Sequence, residues 1–295
     1  MSNDKQLSIS FYSKQKYTCP FCTKDFNKEE ILSGGGRMIA GSLEGDLRRN
    51  FEPSAKYGYV YPLIYSIAAC PHCHAALLWK DLDIPFDKEI IEAINFDEFE
   101  RKKTVERILP FYDLERNRTL YDGVAAYYLA LLCYEKIPSK YSPTIKKAII
   151  SLRLAWLSGD LNRECPNRGF DYIQNTFYLK ALFLYQNSLT REQQQVEEIA
   201  SVGHFGPDID KNYGFDGVIY LCGYLEFIHG QRTDMNARLK KLDEFKRAIA
   251  RSFGLGKSSK AKPGPLLELS RALYDNIRDE LQNANVLNDD DDEEE

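Results

Sequence analysis

The feature that most limits what this chain can fold into is a repeated dithiol. Cys19-Pro20-Phe21-Cys22 is echoed by Cys70-Pro71-His72-Cys73, 47 residues further on. A Cys-x-x-Cys turn sets two thiolates at the right separation to share one tetrahedral ion, and two such turns complete a four-cysteine site. Proline after the first cysteine fixes one φ angle and presets the turn. The competing reading is a redox couple, because Cys19-Pro20-Phe21-Cys22 alone resembles the thioredoxin-type Cys-Pro-x-Cys. That motif needs a strand before it and a helix beginning at it. Here residues 14–18 are short and polar, and a second copy has no place in a single redox dithiol. Cys19, Cys22, Cys70 and Cys73 are therefore the expected ligands of one structural Zn2+, which suits sulfur, does no redox chemistry and can clamp a segment too small to fold alone. Four sulfurs saturate the ion, so His72 and His74 are expected to stay off the metal, with no open position for a catalytic water.

The remaining cysteines fit the same picture. Cys133 and Cys222 lie on apolar helical faces and read as buried thiols; Cys165 falls in a loop and reads as a surface thiol. An odd total of seven argues against a disulfide framework and for a reducing compartment. With no secretory signal at the N-terminus and no apolar run long enough to span a bilayer, a cytoplasmic protein is expected.

The spacing departs from a minimal zinc ribbon, which separates its knuckles by about 15–20 residues. Inside the insert, residues 58–67 are rich in aromatic and β-branched types and read as a strand leading into the second knuckle. The expectation is an enlarged ribbon of two to four short strands, with a loop around residues 42–54. Phe26 is a natural apolar plug beside the metal.

From Pro85 the periodicity changes to 3.6. Tyr121-Asp122-Gly123-Val124, Phe170-Asp171-Tyr172-Ile173 and Phe215-Asp216-Gly217-Val218 share one pattern, with aspartates 49 and 45 residues apart. Each aspartate precedes an apolar-periodic run and reads as a helix N-cap. A recurrence of this size points to stacked helical hairpins. The fold class expected is mainly α: a β-rich zinc-ribbon-like module over residues 1–84, a tetratricopeptide-like helical-hairpin array over 85–283, and a disordered acidic tail over 284–295.

Charge adds little about function. The net charge of −5 comes from the seven acids at residues 289–295; without them 39 basic residues face 37 acidic ones. Residues 231–262 hold ten basic and three acidic residues and include a flexible basic linker at 257–262, which could meet an anionic partner. Residues 1–80 hold ten basic and seven acidic residues, too small an excess to argue for nucleic acid. No Walker, dinucleotide, His-Glu-x-x-His or Gly-x-Ser-x-Gly motif is present, so no catalytic residue is expected.

These residues together resemble a known family. The Cys19 to Cys22 knuckle, Arg37, Asp46-Leu47, the stretch 57–65 with Tyr61-Pro62, and the Cys70 to Cys73 knuckle are similar to the bacterial DUF2225 family. Its function is uncharacterised. Its members pair a double Cys-Pro-x-Cys region with tetratricopeptide-like helices. Residues 152–157 and 220–225 resemble that helical part, and where the family usually has glycine after the last cysteine, this chain has His74. The resemblance implies a bacterial cytoplasmic setting and no reaction.

Three functions are thereby open. The first is a non-enzymatic, zinc-stabilised adaptor whose helical array takes a protein or peptide partner. The second is a zinc-dependent thiol sensor. The third is a nucleic-acid binder using the ribbon and residues 231–262.

Overall fold

The computed structural model describes residues 8–254 and 264–292. The N-terminal part is three antiparallel hairpins: β1 (Ser10–Thr18) with β2 (Asp25–Ile31), β3 (Ile39–Leu43) with β4 (Arg49–Glu52), and β5 (Ile67–Ala69) with β6 (Ala76–Leu78). The six strands among the described residues exceed the two to four expected. The segment expected as a loop is the β3–β4 hairpin, which sequence pattern hides because its strands lack the aromatic and β-branched enrichment of a strand. The stretch 58–67, expected as a strand, runs irregularly into a 3-10 turn over Pro62–Tyr65, with Pro62 at its first position, where a missing N–H costs nothing. Only the short β5 follows it.

The helices are α1 (Lys88–Phe96), α2 (Glu98–Glu106), α3 (Leu120–Tyr134), α4 (Pro143–Glu164), α5 (Phe170–Gln193), α6 (Gly214–His229), α7 (Met235–Gly254) and α8 (Gly264–Asp292). From α3 onward each packs against the next in sequence, as helical hairpins should. α3 and α4 are buried on nearly every side, which explains why their apolar residues run all round rather than on one stripe.

The recurring aspartates do mark helix starts, but not as N-caps. Thr119 caps α3, and Asp122 closes a capping box with it from the third helical position. Gly169 and Tyr213 hold the cap positions of α5 and α6, with Asp171 and Asp216 in their first turns, where a negative charge complements the helix dipole. The expected acidic tail falls partly on the end of α8 and partly outside the described residues; the basic linker at 257–262 lies outside them.

Hairpins and helices share one hydrophobic cluster running from Cys19 to Ile277. The tip of β3–β4 is driven into the helical body. Leu47 is fully buried at a φ of 67°, and Gly45 lies so close to Tyr224 that a Cβ would stand 2.5 Å from its ring. Asp46, buried, accepts bonds from Trp156 Nε1 of α4 (2.6 Å) and the Tyr178 hydroxyl of α5 (3.0 Å). Tyr220 of α6 donates to the Gly45 carbonyl at 2.7 Å. The face where α4, α5 and α6 converge is thus filled by the chain's own hairpin. Among the described residues no helix is long and apolar enough to cross a membrane.

Candidate metal centre

Each knuckle is the tip of a hairpin, and the two tips have the same hydrogen bonds. In the first, Cys19 N–H donates to the Lys24 carbonyl and Thr23 N–H to that of Cys19, both at 3.0 Å. In the second, Cys70 N–H donates to Ala75 and His74 N–H to Cys70, both at 2.9 Å. Thr23 and His74, one residue past the second cysteine of each tip, adopt φ values of 61° and 55°. This is the left-handed conformation that glycine takes without strain, and His74 stands where the resemblance led one to expect glycine.

The four sulfurs lie within 4.8 Å of one another. Cys19 and Cys73 are 3.7 Å apart, as are Cys22 and Cys70. Disulfides would bring sulfurs to about 2.05 Å. Ligands about 2.3 Å from a tetrahedral centre stand about 3.8 Å apart. The spacing matches the edges of a four-sulfur metal site, so these residues fit a metal ion. Cys19, Cys70 and Cys73 are buried and Cys22 partly so. The Cys19 thiol is pushed down by the S–H groups of Cys70 and Cys73, while Cys73 is pushed up by donating to Cys19 and Cys70. Without a cation the cluster shares its protons; holding four thiolates requires positive charge at the centre.

The helices grip both knuckles through the main chain. Asn95 of α1 donates to the Phe21 carbonyl at 3.0 Å. Arg101 of α2, 4% exposed, donates to the carbonyls of Cys73 (2.8 Å), His74 (3.0 Å) and Ile94 (2.7 Å). Behind the second hairpin, Ala76 N–H donates to Cys133 Sγ at 3.3 Å and Leu78 N–H to the Tyr134 hydroxyl at 3.2 Å. Cys133 and Cys222 are buried, and Cys165 is exposed. Phe26 is buried but stacks on Trp79, 6.0 Å between centroids.

Neither histidine joins the cluster. His72 faces the Asp25 carbonyl at 3.2 Å, and His74 packs edge-on against Tyr112. Burial, with Lys102 and Arg101 nearby, pushes the His74 imidazole down to about 4. Sequence reasoning missed Asn95 and Arg101. Arg101 sits on a short helix of mixed charge, and only its burial distinguishes it from Lys102 and Lys103 beside it.

Comparison with known proteins adds a family and no reaction. The family model for uncharacterized proteins conserved in bacteria, DUF2225, matches residues 12–277. A Borreliella burgdorferi protein, described as an uncharacterized protein, is 39% identical over 276 residues, covering 93% of this chain and 98% of that relative. No solved structure matches.

Proposed function

The chain belongs to the DUF2225 family, and from that premise we propose that it is a non-enzymatic, cytoplasmic adaptor, folded around one structural zinc and presenting its helical body to a protein partner. A row of exposed apolar side chains on α5 carries this reading. Tyr172, Leu179 and Phe183 are 75%, 49% and 65% exposed, and their spacing puts them on one stripe of the helix. The opposite side of α5, with Phe177, Ala181 and Leu184, lies in the core. Apolar patches of this kind on a folded chain mark interaction surfaces. The surface offered is therefore the outer face of α5, because the inner one is occupied by the β3–β4 tip.

Zinc is the ion proposed because it favours four thiolates in a tetrahedron. A centre closed by four sulfurs and tied by main-chain bonds to α1, α2 and α3 supports a structural role. The seven free cysteines suit a reducing cytoplasm.

One observation favours the sensor reading as a second choice: Cys22 is only partly buried, so an oxidant has a way in. Nucleic-acid binding draws less support from α7, where Arg238, Lys241, Lys246 and Arg247 each lie within ion-pair distance of Glu280, Glu226 or Asp243.

Affinity capture from the bacterial host tests the adaptor. Leu179→Asp with Phe183→Asp should lose a specific partner while the metal content stays at one zinc per chain. The same proteins captured by variant and wild type would refute the α5 surface. Zinc lost on mild peroxide treatment, along with the partner, would favour the sensor.

A further inference from the structure

A cavity of about 370 Å³ opens beside the β3–β4 hairpin, between β4, residues 59–63 and the C-terminal end of α4. Its volume is in the range of small-ligand sites. It draws on neither the cysteine cluster nor the α5 stripe, so it stands apart from the adaptor reading.

The chemistry of its wall is lopsided. Two buried carboxylates line it, Asp160 and Asp208, and both have their oxygens engaged. Asp160 receives Arg48 on Oδ2 at 2.5 Å and Arg163 on Oδ1. Asp208 receives the Arg49 N–H at 2.9 Å and the Ile209 N–H at 2.6 Å. Burial holds the Asp208 carboxyl above the usual carboxylate range. Both buried carboxylates are thus spent on the protein itself, and Glu52 stands at the exposed rim.

Donors remain. Two guanidiniums, Arg48 and Arg163, share the single charge of Asp160. Arg163 is 57% exposed and, among the described residues, donates through one terminal nitrogen to Asp160; Arg49 uses Nε and one terminal nitrogen on Asp210 and the Gly41 carbonyl. Tyr59 is 55% exposed, and the Arg163 guanidinium lies 5.5 Å from its ring centroid. A guanidinium fork matches an oxyanion, and an exposed ring beside it matches a planar group.

We propose that this cavity binds a small oxyanion-bearing molecule with a planar ring, the class of nucleotides and aromatic carboxylates. Arg163 and Arg49 meet the oxyanion, and Tyr59 stacks on the ring.

Calorimetric titration of the full-length, metal-loaded chain tests it with four probes: AMP, nicotinate, adenosine and inorganic phosphate. AMP separates a phosphate ligand from the carboxylate of nicotinate, while adenosine and inorganic phosphate carry only half of the recognised chemistry. AMP or nicotinate should bind at least tenfold tighter than either half-probe. Arg163→Ala should weaken that binding tenfold or more, and Tyr59→Ala should weaken it too. Both side chains are more than half exposed, so both variants should fold, which thermal melting checks. The proposal is overturned if neither AMP nor nicotinate binds at millimolar concentration, if a half-probe binds as tightly, or if Arg163→Ala leaves binding unchanged.

Discussion

Asp46 ties the hairpin tip to two helices at once, through the Trp156 indole and the Tyr178 hydroxyl, and it also accepts the Arg48 N–H at 3.3 Å. Burial raises its pKa against the pull of those donors. Replacing it by alanine leaves buried donors unpaired, each a loss of about 1–3 kcal/mol. Relief of the buried charge offsets part of this, so Asp46→Ala should cost about 3 kcal/mol by urea denaturation, and Asp46→Asn less, because one acceptor oxygen stays. A cost below 0.5 kcal/mol would mean that the hairpin tip does not anchor the helices. Next to this network His229 stacks on Tyr178 at 4.2 Å, and burial lowers its pKa. The folded chain then resists a proton that the unfolded chain accepts near pH 6.5. The stability this contributes is complete above that pH and is lost as pH falls below it. His229→Phe keeps the stack and should flatten the stability–pH slope just below 6.5; an unchanged slope would show that His229 does not contribute to it. None of this was legible in the sequence. The four cysteines were, since their type and spacing restrict the chemistry by themselves. Asp46 was noted only as part of the family resemblance, with no role, and His229 looks ordinary until distant helices are brought to it.

At the scale of elements, the turn that leads into the second cysteine hairpin meets the helices tightly at Gly123 of α3. A Cβ there would stand 2.4 Å from Ile64 Cβ and 3.2 Å from its Cα. Alanine is the better helix former by about 1 kcal/mol, but overpacking a tight core costs about 1–3 kcal/mol. With backbone as well as side chain in the way, the clash should win. Gly123→Ala is expected to lower the melting temperature; a rise would show that the turn at Pro62–Tyr65 yields easily. Thr119→Ala removes the cap of α3 and should cost about 1 kcal/mol. Helix positions were readable because 3.6-residue periodicity survives wherever one side of a helix meets solvent. The recurring aspartates located three helix starts, yet their role differed, since a first-turn acid and an N-cap leave the same local signature. β3 and β4 were unreadable because tertiary anchoring of their tip, rather than strand propensity, holds them.

At the scale of the whole molecule, the continuous core decides what loss of metal would do. If the four-cysteine hairpins were an independent module, chelation would unfold them and leave α1 to α8 untouched. Instead Asn95 and Arg101 hold the knuckle carbonyls, and Cys133 and Tyr134 of α3 accept the N–H groups of Ala76 and Leu78, the two ends of β6. Without the ion the knuckles relax, and Arg101, buried with three main-chain carbonyls as its bonded partners among the described residues, loses the acceptors that make its burial tolerable. The disturbance should spread to α1, α2 and the C-terminal half of α3, and fade before α7 and α8, which pack mainly against α6 and each other. Hydrogen exchange on the chelated protein should therefore show lost protection over residues 19–26, 67–78, 88–106 and 127–134, with residues 235–250 and 266–284 near their metal-loaded values. Loss confined to the two knuckles would show that the helices do not depend on the ion. Uniform loss through α8 would show instead that the chain unfolds as one unit when the ion leaves, and would make the metal a condition of the entire fold.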